Sequence, residues 1–91
     1  MRITWDPAKR AKTLAERGLD FADAAIVFDG VTVEVEDTRK DYEEHRYQAL
    51  GMIDERLHML VFTPRDDAMH VISLRRANRR ERKRYAAQTK S

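Results

Sequence analysis

Glu44 and Arg46 stand two residues apart, and in an extended chain such side chains project from the same face. A pair of this kind could hold an anion such as a phosphate on Arg46 while Glu44 handles a proton. His45 lies between them and points the other way in a regular strand. Its ordinary pKa near ~6.5 suits proton transfer better than the ~4.3 of a glutamate, but only Glu44 shares the face of Arg46. The plain alternative is a surface ion pair worth roughly 0 to 1 kcal/mol. Arg65, just after Pro64, and Arg75, at the end of an apolar run, could add phosphate contacts if the fold brings them to one sheet edge. Otherwise they are ordinary solvated charges. Tyr85 follows Glu81 by four residues and so shares its helix face, as an acid, as a stacking platform for a base, or as a packed tyrosine with its hydroxyl at the surface. His45, His58 and His70 lack the short spacing of a metal motif and there is no Cys to join them, so neither metal nor cofactor is expected.

The net charge of +2 conceals an asymmetry. Residues 1–74 carry ten Lys/Arg against fifteen Asp/Glu, whereas 75–91 carry eight against one. A tail this basic suits a polyanion or an acidic protein surface, or is a solvated helix face. Along it, Arg79, Arg80 and Arg84 could lay cations along nucleic-acid phosphates, a contribution that depends on salt and not on sequence.

The elements that must position these residues follow from capping signals and periodicity. Asp6-Pro7 starts a helix in which Ala8, Ala11, Leu14 and Ala15 recur at helical spacing, and Gly18 closes it. Its apolar face is thin, so it must dock. Asp20 starts a second helix with Phe21, Ala24, Ala25 and Phe28 on one face, ended by Gly30. Val31, Val33 and Val35 then alternate with Thr32, Glu34 and Glu36, which is a strand with one wet face. Asp37 to Glu43 reads as a loop, Arg46 to Ile53, Leu57 to Thr63 and Met69 to Leu74 as strands, and Asp54–Arg56 and Pro64–Ala68 as short links. Links so short require antiparallel neighbours. Asn78 and Glu81 have capping-box spacing ahead of a basic helix, about 77–88.

The expectation is therefore an α+β fold in one domain over 1–91: two N-terminal helices, a four-stranded antiparallel sheet and a C-terminal helix. Phe21, Phe28, Val33, Leu60, Phe62 and Ile72 belong among its buried residues, and a parallel strand pair would contradict it. The early helices cover one sheet face and leave the other partly open, where a charged site would sit. Disulfides and thiolate zinc sites are excluded because there is no Cys. The longest apolar run, Ala24 to Phe28, is far below the ~18 residues of a membrane span, and no apolar signal segment follows Met1, so a cytoplasmic protein without membrane association is expected.

An ordered set of residues carries a family resemblance. Trp5-Asp6-Pro7 with Lys9, Gly18-Leu19-Asp20-Phe21 with Ala24 and Val27-Phe28, then Glu44, Arg46 and Gly51, then Thr63-Pro64-Arg65, and finally Ile72-Ser73 with Arg75, Ala77, Glu81 and Tyr85 resemble the BrnT toxins. The resemblance implies a RelE/ParE-like fold and ribonuclease activity that blocks translation. It also implies neutralisation by a co-encoded ribbon-helix-helix antitoxin of BrnA type, two toxins being bridged by an antitoxin dimer. Four positions depart from the family's usual residues: Thr13, Glu16, Arg17 and Glu43, the last placing an extra carboxylate beside Glu44.

RNA cleavage without metal needs a base for the 2′-hydroxyl proton, cations for the phosphorane and an acid for the leaving 5′ oxygen. On the resemblance, Glu44 as base, Arg46, Arg65 and Arg75 as phosphate ligands and Tyr85 as acid would act on one RNA phosphate. A non-catalytic nucleic-acid-binding module, or an inactive toxin retained as co-repressor with its antitoxin, are the competing readings.

Overall fold

Asp6 accepts from the Ala8 N–H at 2.9 Å, Pro7 takes the first helical position, and Gly18, at φ 69°, closes α1 (Pro7–Arg17) with its N–H on the Leu14 carbonyl. The computed structural model describes residues 2–90. No side chain of α1 is buried, and Leu14 is 46% exposed. The docking that this thin face requires comes instead from arginines. Arg10 grips Asp20 with two bonds of 2.8 and 2.9 Å and lies over the Trp5 ring, and Arg17 donates to the Leu74 carbonyl at 2.9 Å.

Asp20 caps a 3₁₀ turn, Phe21–Asp23, that runs directly into α2 (Ala24–Asp29). Two N-terminal helices thus form, but the buried face is Phe21, Ala24 and Val27, with Ala25 exposed and Phe28 half-buried. The reason is the 3₁₀ start: with three residues per turn, positions three apart eclipse, and the stripe shifts from the expected α-helical one.

The sheet contradicts the expectation of four antiparallel strands, since it has a fifth strand and the parallel pair that the expectation excluded. It has five strands in the order β1-β5-β4-β3-β2, formed by β1 (Arg2–Trp5), β2 (Val33–Glu36), β3 (Tyr47–Ile53), β4 (Arg56–Arg65) and β5 (Ala68–Arg76). The four consecutive strands β2 to β5 are antiparallel as expected, while β1 pairs parallel to β5. Arg2-Ile3-Thr4-Trp5 is too short a run to announce a strand beside the Asp6-Pro7 helix start, yet its alternation puts Ile3 and Trp5 against the core. The Asp54-Glu55 turn has both residues at positive φ, 50° and 65°, the requirement of a two-residue hairpin that matches strand twist. The second hairpin is tighter than expected. Pro64 and Arg65 stay in β4, paired with Met69 and Ala68, and only Asp66-Asp67 turns. Beyond Phe62, β4 outruns β3, so Pro64 has a strand neighbour on one side only and its missing N–H is tolerated.

Phe21, Ala24, Val27, Ala49, Ile53, Leu60, Phe62, Val71 and Leu74 fill the face under α1 and α2. On the opposite face α3 (Arg79–Thr89) seals one end, where Tyr85 packs on Val33, Leu50, Leu57, Met59 and Ala77. Of the expected core, Phe21, Val33, Leu60 and Phe62 are buried. Ile72 is half-buried because it is the extra residue of a bulge between the Val61–Ser73 and Phe62–Val71 pairs. Val31 lies outside β2 and is 66% exposed, and Val35 is also exposed, so Val33 alone carries the inward side of that edge strand.

Gly51 faces α2 so closely that a Cβ would stand 2.7 Å from Val27 Cγ1, a stiff side chain with no exposed surface. Gly51→Ala is expected to cost about 1–3 kcal/mol through overpacking, read as a lower urea midpoint with unchanged slope. A midpoint equal to wild type would show that α2 can move away freely.

Candidate functional site

Beyond α3 the second sheet face carries no helix, and the 37–46 loop borders it, with Val61 and Thr63 of β4 buried there. The loop is tied at both ends: the Asp37 N–H donates to the Arg46 carbonyl at 2.7 Å, and the buried Thr63 hydroxyl donates to the His45 carbonyl at 2.6 Å. Glu44 and Arg46 precede β3, which starts only at Tyr47, so the expected strand pairing of the two does not form. Glu44 instead accepts from Arg65 Nη2 at 3.1 Å and Nε at 3.4 Å. Arg46 lies 4.1 Å over the Tyr42 ring, and its Nε is buried with no hydrogen-bond partner. His45 turns outward to Glu36, 2.7 Å away. The half-buried His70 completes the group, its Nδ1 2.9 Å from Thr4 Oγ1.

The Arg65 guanidinium holds the Glu44 carboxyl below its usual range, helped by Arg46 and His70, so the extra carboxylate of Glu43 does not raise it. Burial pushes His70 below the ordinary histidine value, and Arg65 pushes in the same direction. At neutral pH the face therefore carries an ionised glutamate, a neutral imidazole and two guanidinium ions.

Arg75 and Tyr85 are not part of this group. Arg75 pairs across to Met59, six β4 residues from Arg65, or roughly 20 Å at strand rise. It binds Glu81 by two 2.8 Å bonds while Glu81 closes the capping box with Asn78. The Tyr85 hydroxyl donates to the Val31 carbonyl at 2.8 Å, and its ring is packed beside Leu57. Convergence of Arg46, Arg65, Arg75 and Tyr85 on one phosphate is thus corrected: β5 is long enough to carry Arg75 to the far end, and Tyr85 is used in holding α3. The basic tail also divides, with Arg79 and Arg80 exposed and Arg84 part-buried with an unpartnered Nε.

The model of the ribonuclease toxin BrnT family of type II toxin–antitoxin systems matches residues 5–81. The chain belongs to the BrnT family. A search of curated proteins returns no significant match. Membership makes this BrnT chain a ribonuclease toxin of a type II system, whose partner is a protein antitoxin. The match includes Glu44, Arg46, Arg65, His70, Arg75, Arg79 and Arg80, and leaves Arg84 and Tyr85 beyond its end.

Sequence reasoning did not find the His70–Thr4 pair in this BrnT chain. The signal depends on β1, because only the parallel register Thr4↔His70 brings residues 66 apart side by side. Tyr42 was hidden in a polar loop. Among the described residues no three His, Cys, Asp or Glu side chains gather as a metal site would require, and no helix is long and apolar enough to cross a membrane.

Two carboxylates tie the scaffold together and titrate low. Arg39 holds the buried Asp37 at about 2, and Arg10 together with the Ala22 N–H holds Asp20 at about 2. Both are depressed from ~3.9 in an unfolded chain, so their stabilisation is complete above pH ~4 and disappears as pH falls toward 2. His70, also depressed, favours the folded state above pH ~6.5 and less below it. The melting temperature is expected to fall slightly from pH 7 to 5 and steeply below 4, with the steep part blunted in Asp37→Asn. A flat profile down to pH 2.5 would overturn this.

Proposed function

We propose that this BrnT chain cleaves RNA on the open sheet face by acid–base chemistry that needs no metal. Glu44, Arg46, Arg65 and His70 meet around one phosphate. The supporting observation is that two guanidinium ions and a neutral imidazole lie together beside an ionised carboxylate on the sheet face that α1 and α2 do not cover, where Arg65 and Glu44 are exposed.

Arg65 and Arg46 bind the non-bridging phosphate oxygens, Arg46 resting 4.1 Å over the Tyr42 ring. With Nδ1–H donated to Thr4 Oγ1, His70 Nε2 keeps its lone pair and takes the 2′-hydroxyl proton as O2′ attacks phosphorus. O5′ leaves and takes a proton from the imidazolium so formed, giving a 2′,3′-cyclic phosphate and a 5′-hydroxyl. Glu44, given the role of base on sequence grounds, is too acidic for it while paired with Arg65. It orients Arg65 and steadies the imidazolium. Arg79 and Arg80 on the exposed side of α3 add salt-sensitive RNA affinity.

In the cell this activity blocks translation, in the cytoplasm, on a RelE/ParE-like architecture. The antitoxin is a BrnA-like ribbon-helix-helix protein whose dimer carries two toxin copies, since a twofold partner offers the same surface twice.

The test is cleavage of a single-stranded RNA in excess EDTA. Undiminished cleavage with cyclic-phosphate and 5′-hydroxyl ends is expected, at a rate that rises with pH below neutrality and then levels. Loss of activity on chelation, or 5′-phosphate ends, would overturn the mechanism.

A further inference from the structure

Among the described residues, two buried side-chain nitrogens have no acceptor, Arg46 Nε and Arg84 Nε. A buried unpaired donor costs about 1–3 kcal/mol, more when charged, so each needs an explanation. Arg46 belongs to the group described above. Arg84 does not.

Arg84 follows Glu81 by three residues and so lies on the same side of α3, the side that meets the sheet. Glu81, only 12% exposed at its side chain, is shared: Arg75 holds it by two bonds, and Arg84 lies within its electrostatic reach. From the loop, Arg39 comes near enough to Arg75 for their charges to repel, while two of its own donors are engaged by buried Asp37. Arg39, Arg75 and Arg84 thus stand against two carboxylates, which leaves one positive charge uncompensated. Each guanidinium has five N–H donors, and the bonds described use only some of them.

This cluster lies on the same sheet face as His70. Thr63 and Met59, the β4 partners of His70 and Arg75, are four residues apart, which is roughly 13 Å at strand rise. The β5 segment between them carries Ser73, small and half-exposed, on that face. An extended strand of nucleotides that put one phosphate at Arg46 and Arg65 would run over Ser73 and offer a later phosphate to α3.

We propose that Arg84, with Arg39 and Arg75, forms a second phosphate subsite for the same RNA strand, at least one nucleotide away from the scissile phosphate. This rests on the reading of the open face as the RNA-cleaving site. The side chains of Arg39 and Arg75 are 63% and 39% exposed, so their remaining N–H donors are open to a phosphate, and a single strand spanning both positions meets both positive groups, which favours RNA over an acidic protein segment.

The experiment is a binding scan with non-cleavable 2′-deoxy oligonucleotides in which one phosphate at a time is a neutral methylphosphonate. Wild type is expected to lose affinity about tenfold at two separated positions, the size of one charge-assisted contact. Arg84→Gln, with unchanged melting temperature, and independently Arg39→Gln, assayed where it remains folded because it also unpairs buried Asp37, should abolish the penalty at the outer position alone, and Arg65→Ala at the inner alone. A single sensitive position, or small equal losses everywhere, would overturn the subsite. So would an Arg84→Gln chain with an unaltered RNA footprint but weakened antitoxin binding. Two positions without RNA cleavage by wild type would instead remove only the catalytic reading, and cleavage with one position only the subsite.

Discussion

Arg65→Ala is expected to lower single-turnover RNA cleavage at saturating substrate by ~10²-fold or more, the loss found when one preorganised electrostatic donor to a transition state is removed. Arg65 is bonded to Glu44 and half-exposed, and its fork can span two phosphate oxygens. Arg46→Lys should also impair turnover although it keeps the charge, because an ammonium lacks the planar fork of the guanidinium that lies over Tyr42. RNA affinity should fall less than turnover in both variants, since the tail cations remain. Glu44→Gln separates the roles of the two proton-handling groups. As an orienting group its loss frees Arg65 for substrate, so KM should drop or hold while turnover falls modestly. As the base its loss would cost as much as that of Arg65. His70→Gln should remove the rising limb of the pH–rate profile. Full activity in both arginine variants would eliminate this face as the reaction site.

Local signals in this chain were readable wherever one residue type meets one backbone need. Asp6, Asp20 and Asn78 cap as their side chains dictate, Gly18 takes the left-handed position, and the β3–β4 turn falls on Asp54-Glu55. What could not be read depended on partners far away in the chain. β1 has four residues whose strand character comes from pairing with β5, and a short run beside a helix cap gives no independent sign of it. The burial of Val27 in place of Ala25 depends on a 3₁₀ lead-in that the apolar pattern does not encode.

The site shows the same division. Residue types suited to phosphate chemistry stood out, and Arg65 does come to Glu44 across 21 residues. The pairing of Glu44 with Arg46 assumed strand geometry at a point where the chain is still a loop, so the i, i+2 rule did not apply. Tyr85 and Arg75 have the chemistry of an acid and a phosphate ligand, but the same chemistry serves to anchor α3: one hydroxyl to the Val31 carbonyl, one guanidinium to Glu81. Spacing cannot tell an arginine placed beside Glu44 from one that a carboxylate holds at the far end of the sheet. His70 required the parallel register with Thr4, and it was found only with the fold.

Phe62→Ala is expected to cost about 3–5 kcal/mol, a large share of the roughly 5–14 kcal/mol available to a chain of this size. Phe62 is 2% exposed at the centre of the helix-covered face, meeting Phe28 of α2 edge-on at 4.9 Å and Tyr47 of β3 in a stacked arrangement at 5.7 Å. Truncation removes the transfer free energy of a buried ring and both aromatic contacts, and leaves a cavity that the five-stranded sheet cannot collapse to fill. Tyr47 directly follows Arg46, so the same cavity loosens the point at which the 37–46 loop joins the sheet. Urea unfolding should show the lower midpoint with unchanged slope, and the smaller truncation Phe62→Leu a fraction of the loss. At urea concentrations where Phe62→Ala remains folded, its RNA cleavage should still fall below that of Gly51→Ala, which strains α2 against β3 away from Arg46. A loss under 1 kcal/mol would mean that the aromatic trio does not anchor the core. Equal cleavage in the two folded variants would mean that the loop holds Arg46 through its own hydrogen bonds, Asp37 to the Arg46 carbonyl and Thr63 to the His45 carbonyl, without help from the core.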